Sequence, residues 1–313
     1  MPNDATRLDA LEAAERPDRP HYATGVLLDA GDFLDEQTYH RGRLGRALAY
    51  LHGSGTVCGL SVTPPRPLDG DFELAVQPGL ALDRYGRLIE VPRPWCIRLN
   101  RWYAALADTA NAIGRAALGN ALRGDRVTVD LFVEFELCER GKTPSFAEGA
   151  IDATDATVPH RLRDGFRFLL APRDLDPADP ATLPGARFPA FSAGATSEQR
   201  VRELKQHILD GWNGALARPG ERAFPRPGEP SLAYAREHAR MLPPATAGAS
   251  PQPLSPAAVF LARLQIPATA GAGDAAPTPD FAAMTATDIN NLARAFVFPT
   301  DALARALGLV PDV

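Results

Sequence analysis

Apolar residues fall into three kinds of rhythm along the chain. From about 31 to 52 they recur with a helical period: Leu44, Leu48 and Leu51 stand at i, i+4 and i+7, which predicts one buried stripe. Arg41, Arg43 and Arg46 fall on the other faces. Asp32 is the expected N-cap, Asp35 and Glu36 suit the positive end of the helix dipole, and Gly53 stands where a C′ glycine belongs. After Gly55 the period shortens. The stretch TVCGLSVTP predicts a strand that Pro64 and Pro65 end, and strands follow at 72–76, 80–83 and 88–91, with a turn at 84–87.

A helical, alanine-rich stretch then covers 100–122. The clearest strand is 126–139, where Val127, Val129, Leu131, Val133, Phe135 and Leu137 alternate onto one face. Further strands are expected near 166–170, 257–268 and 296–298, the last after a polar turn in DINN. Between 173 and 255 prolines crowd in three groups around two helical patterns, 197–211 and a weaker 231–241. Short helices are also expected at 7–15 and 300–308.

The predicted class is α+β: a mainly antiparallel, β-rich body with a long N-terminal helix packed on it and a helical, proline-rich insertion. The expected division is a polar arm at 1–20, an α+β core at 21–172, the insertion at 173–255, and a segment at 256–313 that completes the core and ends in a helix.

Composition adds few constraints. Hydrophobic residues at 45% and charged residues at 23% of 313 are ordinary for a soluble protein, and 30 prolines with 26 glycines predict many turns. A net charge of −5 gives no reason to expect nucleic acid or an anionic membrane as partner. The first twenty residues are charged throughout and lack the apolar run of a signal peptide, and no run is long enough to span a membrane. Three dispersed cysteines, Cys58, Cys96 and Cys138, point to a reducing compartment, so the protein is expected in the cytoplasm.

Candidate chemistry centres on AYLHGSGTVCGL, residues 49–60. His52 could activate Cys58 as a thiolate if the two converged, but one ends a helix and the other enters a strand. The structural reading is simpler. Gly53, Gly55 and Gly59 let the chain leave a helix, reverse and pair, His52 suits a helix C-terminus, and Cys58 is a small buried hydrophobe. The six histidines show no metal-binding spacing, and no phosphate-cradling glycine loop or GxSxG elbow is present. No cofactor and no metal are expected. Asp130, Glu134 and Glu136 share the polar face of the 126–139 strand; this could be an acid/base or cation patch, and is more simply a solvated face.

The segment YATGVLLDAGDFLDEQTYHRGRLGRALAYLHGSGTVCGLSV resembles the opening of a family of bacterial proteins encoded with phage-tail-like contractile injection systems. The likeness rests on Tyr22, Gly25, Leu27, Leu28, Asp32, Phe33, Glu36, Gln37 and Tyr39, then Leu51, His52, Gly53, Gly55, Val57, Cys58, Gly59, Leu60 and Val62. VQPGLALDRYGRLIEVP, RLRDGFRF, VFLARLQI and DINNLARAFVF resemble later blocks, whereas 173–255 departs from the pattern. The resemblance implies a non-enzymatic baseplate or cap accessory subunit, assembled in the cytoplasm and part of a released particle. It would act through contacts with other subunits in a ring or symmetric assembly, without nucleic acid or membrane insertion. Trp212, Phe224 and Tyr234, in the departing segment, are the expected interface anchors. The alternatives are a hydrolase or metal-dependent enzyme with a site near His52 and Cys58, and a carbohydrate- or surface-binding module with exposed aromatics.

Overall fold

A computed structural model describes residues 18–144, 157–173, 252–255 and 257–298, with a few isolated positions elsewhere. Most of the 1–20 arm and of the 173–255 insertion lies outside the described residues. So do Trp212, Phe224, Tyr234 and nearly all of the helices expected at 7–15, 197–211, 231–241 and 300–308.

The chain is mixed, with three α-helices among the described residues and strand pairings that are antiparallel throughout. The one parallel contact is an isolated bridge of Thr56 with Phe296. Helix α1 (Ala30–His52) opens it. Its N-cap is Asp29, not Asp32: Asp29 Oδ1 accepts the N–H groups of Gly31 and Asp32, and Asp32 returns a bond to the Asp29 N–H. Asp32 is thus the far partner of a reciprocal capping pair, a role that an acidic residue in the first turn serves equally well.

Six short strands follow: β1 (Gly55–Gly59), β2 (Val62–Leu68), β3 (Asp71–Val76), β4 (Gly79–Leu82), β5 (Leu88–Val91) and β6 (Trp95–Arg98). They form two three-stranded sheets, ordered β1-β4-β5 and β2-β3-β6. Each sheet takes one half of three bent ribbons, β1 with β2, β3 with β4, and β5 with β6. The ribbon pair stays bonded across its bend, through Leu60 N–H to Pro78 O and Gln77 N–H to Ser61 O. Pro64 and Pro65 do not end their strand. The register jumps from Thr63 opposite Ala75 to Arg66 opposite Glu73, so both prolines sit in a bulge on an edge strand, where a missing N–H costs no ladder bond.

Helices α2 (Leu99–Ala107) and α3 (Ala112–Ala121) replace the single expected helix. Asp108 and Asn111 break it. Asp108 turns the chain by accepting from Ala110 N–H, and Asn111 caps α3 through Gly114 N–H while donating back to Ala105 O. The short β7 (Leu122–Arg123) turns into β8 (Arg126–Pro144), which pairs along its length with β9 (Thr157–Pro172). Between 241 and 253 lies a small pair, β10 (Met241–Leu242) with β11 (Gln252–Pro253). Then β12 (Val259–Thr269) lines the other edge of β8, with β13 (Thr278–Pro279) and β14 (Ile289–Asn290) against it.

One core joins these layers. Val127, Val129, Leu131 and Val133 of β8 meet Leu261 and Leu264 of β12, Leu74 and Val76 of β3, Ile89 of β5, and Leu99, Leu106 and Leu118 of the helices. The opposite face of β8 is covered too: Phe132 packs with Phe260, Leu254 and Ala258 in a second cluster. The alternation in 126–139 therefore marks a strand covered on both faces, with Thr128 and Asp130 as buried as their apolar neighbours.

Candidate interaction surface

Helix α1 does not pack its leucine stripe. Leu44 and Leu51 are 63% and 76% exposed, and the positions that turn inward are Thr38, Gly45 and Ala49. At about 100° per residue, Phe33, Leu44 and Leu51 lie within about 20° of one another, and about 130° from the inward face. The inward contact is narrow. Gly45 lies against the turn between β4 and β5, so closely that a Cβ built there would stand 2.7 Å from Tyr85 O, and one on Gly86 would stand 1.8 Å from Gly45 O. That turn is held rigid from below. Asp83, fully buried, accepts the Tyr85 and Arg87 N–H groups at 2.9 Å each and the Arg87 Nε at 2.6 Å, while the Arg87 guanidinium stacks on Phe135. Burial pushes the Asp83 carboxyl up, against the pull of Arg87 and the two amides.

The residues leading into α1 extend the exposed surface. Leu27 is 94% exposed, and Val26, Leu28, Phe33 and Leu34 are exposed as well. Tyr22 ties this segment to the helix, its hydroxyl donating to Glu36 Oε2 at 2.5 Å; that bond and the neighbouring carboxylates raise the phenol. Large apolar side chains thus recur along the outer side of α1 and its lead-in, denser than the scatter of single apolar residues normal to a surface.

The glycine-rich stretch after α1 is a junction. Gly53 closes the helix, its N–H bonding Ala49 O at φ +71. The C-terminal segment then grips β1 and β2. Thr56 N–H bonds Ala295 O, Val297 N–H bonds Thr56 O, and Asn291 brackets Val62 with both its side-chain oxygen and nitrogen. Arg294, buried, donates to Leu60 O at 2.7 Å and to Asn291 O, and burial pushes it down to about 10. Gly55 passes so near that a Cβ would stand 2.6 Å from Ala295 O, and Gly59 turns at φ +63 beside Pro78. His52 and Cys58 are both exposed, so Cys58 is not the buried hydrophobe its strand suggests. The register of β1 on β4 slips between Thr56 and Cys58, and this irregularity leaves Cys58 at the surface. Among the described residues no hydrogen bond links the two side chains.

The acids of β8 are not a solvated face either. Asp130 is buried, held bidentately by Arg263 (2.7 and 2.9 Å) and by Arg173 at 3.0 Å. Glu134, also buried, is held by Arg167 Nε at 2.6 Å. Glu136 lies half-buried. Among the described residues no group of three His, Cys, Asp or Glu side chains could hold a metal ion, and no helix is long and apolar enough to cross a membrane. Among the described residues the exposed aromatic rings are Tyr22 and Phe33 around α1, Trp95 on β6, and Phe296 and Phe298 after β14.

The sequence pattern pointed to Leu44 and Leu51 for the wrong environment and passed over Phe33, Leu27 and Leu34 as surface residues. One signal was present. Phe33, Leu44 and Leu51 fall within about 20° on one face at 4-3-4-3-4 spacing, with polar Gln37 and His40 and small Ala47 between them, a face that the Leu44–Leu51 period alone did not extend back to Phe33. No family model matches this chain, and no curated protein matches it significantly.

Proposed function

We propose that this protein is a non-enzymatic structural subunit of a contractile, phage-tail-like injection particle, a baseplate or cap accessory that assembles in the cytoplasm and acts through contacts with neighbouring subunits. The observation that carries the reading is where the resembling segment lies. Tyr22, Leu27, Leu28 and Phe33 lie in the segment that resembles that family, and all four are exposed. Large apolar side chains grouped at a surface are expected to meet a partner. The junction at 52–60 supports the same view, since the backbone and C-terminal segment account for its glycines without a reaction. The proline-rich insertion is proposed as a helical extension with Trp212, Phe224 and Tyr234 as contact residues, in a ring or other symmetric arrangement.

The test is sedimentation of lysate from cells that make the particle, with a sheath or tube protein as marker. The protein is expected in the particle fraction, and a F33E/L44E variant is expected in the soluble fraction. Wild-type protein found only as a small free species would refute the reading.

A further inference from the structure

We infer that two copies of this chain associate through α1, the helices antiparallel and related by a two-fold axis near Tyr39. The occupant is argued from charge and register. Of the charges that flank the stripe within about 100°, the first half of α1 carries Asp32 and Glu36 and the second half Arg41 and Arg43; Asp35 and Arg46 point to the opposite side. A parallel pairing sets like charges side by side, whereas an antiparallel one sets the acidic half of each helix along the basic half of the other.

The register follows from the seam. Glu36 and Arg43 flank the apolar stripe on the same side, at positions that precede Gln37 and Leu44. Placing Glu36 of one copy beside Arg43 of the other brings Phe33 opposite Leu44, twice by symmetry. It also sets residues 26–28 of each copy, with Leu27 the most exposed, at the level of Leu51 of the other. One displacement thus covers Phe33, Leu44 and Leu51, with Leu34 beside the seam at about 100° from Phe33. Among the described residues the stripe is open, since it points about 130° away from the contact of Gly45 with the β4–β5 turn.

The pairing stands apart from the assembly reading: a protein can dimerise without joining a particle, and the reverse. Its test is sedimentation equilibrium on the purified full chain. A dimer is expected, and F33E/L44E is expected to sediment as a monomer with unchanged circular dichroism and melting temperature, since both side chains are exposed. E36R and R43E should each weaken the dimer by roughly tenfold in Kd, because the two-fold axis applies every change twice, whereas Y22F, which removes only the Tyr22 bond to Glu36, should leave the Kd within about twofold. The double exchange E36R/R43E should restore it, which a merely damaged helix would not do. Three results would overturn the inference: a wild-type monomer at every concentration, a dimer indifferent to F33E/L44E, or a dimer that forms only after residues 176–250 are removed. The last would mean that the chain's own segment covers the stripe.

Discussion

At the scale of the residue, Asp288 shows how one side chain closes a distant seam. It completes a capping box with Thr285, accepting from both the backbone N–H and the hydroxyl at 2.8 and 2.9 Å, and it pairs with Arg126 at the start of β8. Burial by itself would raise the Asp288 carboxyl. The bonds from Thr285 and Arg126 outweigh burial and hold it below the usual carboxylate range. A depressed folded-state value stabilises the fold above the unfolded value of about 3.9, and that contribution is lost as pH falls through the folded value. D288N is therefore expected to lower stability at pH 7 by about 1–2 kcal/mol, the cost of a lost cap and a charge-assisted bond. Urea melts from pH 7 down to 3 should show the two proteins converging in acid. Curves that stay parallel would mean that the carboxylate does not act there as an anion.

At the scale of the element, α1 is docked by the absence of a side chain. Gly45 would ordinarily be a weak point, since alanine is better than glycine in a helix interior by about 1 kcal/mol. Here a methyl group would meet the Tyr85 carbonyl, and backbone cannot turn aside as a side chain can. The sign should invert: G45A is expected to lower the melting temperature and to speed amide exchange in α1 while leaving β8 unchanged. G119A, in α3 with open space around it, is the control and should stabilise by about 1 kcal/mol. Stabilisation by both changes would show that α1 does not rest on the β4–β5 turn. The same helix marks how far the sequence could be read. Its existence, its Gly53 end and its apolar residues were legible, because period and caps are local, although the N-cap is Asp29, three residues before the expected Asp32. Which way the stripe faced was not, because amphipathicity states that a face wants a partner and says nothing of which partner. The stretch 95–98 was missed as a strand since Pro92 and Pro94 precede it and only the Val76 ribbon, far upstream, gives it a mate. The ion pairs of Asp130 were out of reach for the same reason, with Arg173 and Arg263 lying 43 and 133 residues away.

At the scale of the whole molecule, the β-body closes through residues far apart in sequence. Strand β12 arrives after the entire 174–251 stretch, yet it is the direct neighbour of β8, from Val259 opposite Val133 to Pro267 opposite Arg126. The stretch leaves and re-enters at one place. Its exit, Arg173, is fixed by its N–H to Thr128 O and by its guanidinium to Asp130. Its return, Leu254, packs with Phe132 in the cluster that also holds Leu169 and Ala171 of β9. Phe132 is two residues from Asp130 on the same strand, so the two ends come together on one face of β8. Among the described residues, each buried group of the shared core comes from before 174 or after 253. Replacing residues 176–250 by a short Gly-Ser linker is therefore expected to leave the body folded, since closing a shorter loop costs less chain entropy and the change removes β10 but none of the described core side chains. Thermal unfolding should remain one cooperative transition with a midpoint within a few degrees of the full chain, roughly the shift that 1 kcal/mol produces in a body of this size. Truncation after residue 251 is the opposite case: it takes β12 from the middle of the sheet, opens both clusters, and should yield no cooperative transition. If the linker variant also failed to fold, the segment would have to be an integral part of the core rather than an insertion. The division of the chain into a body and an extension would then be wrong.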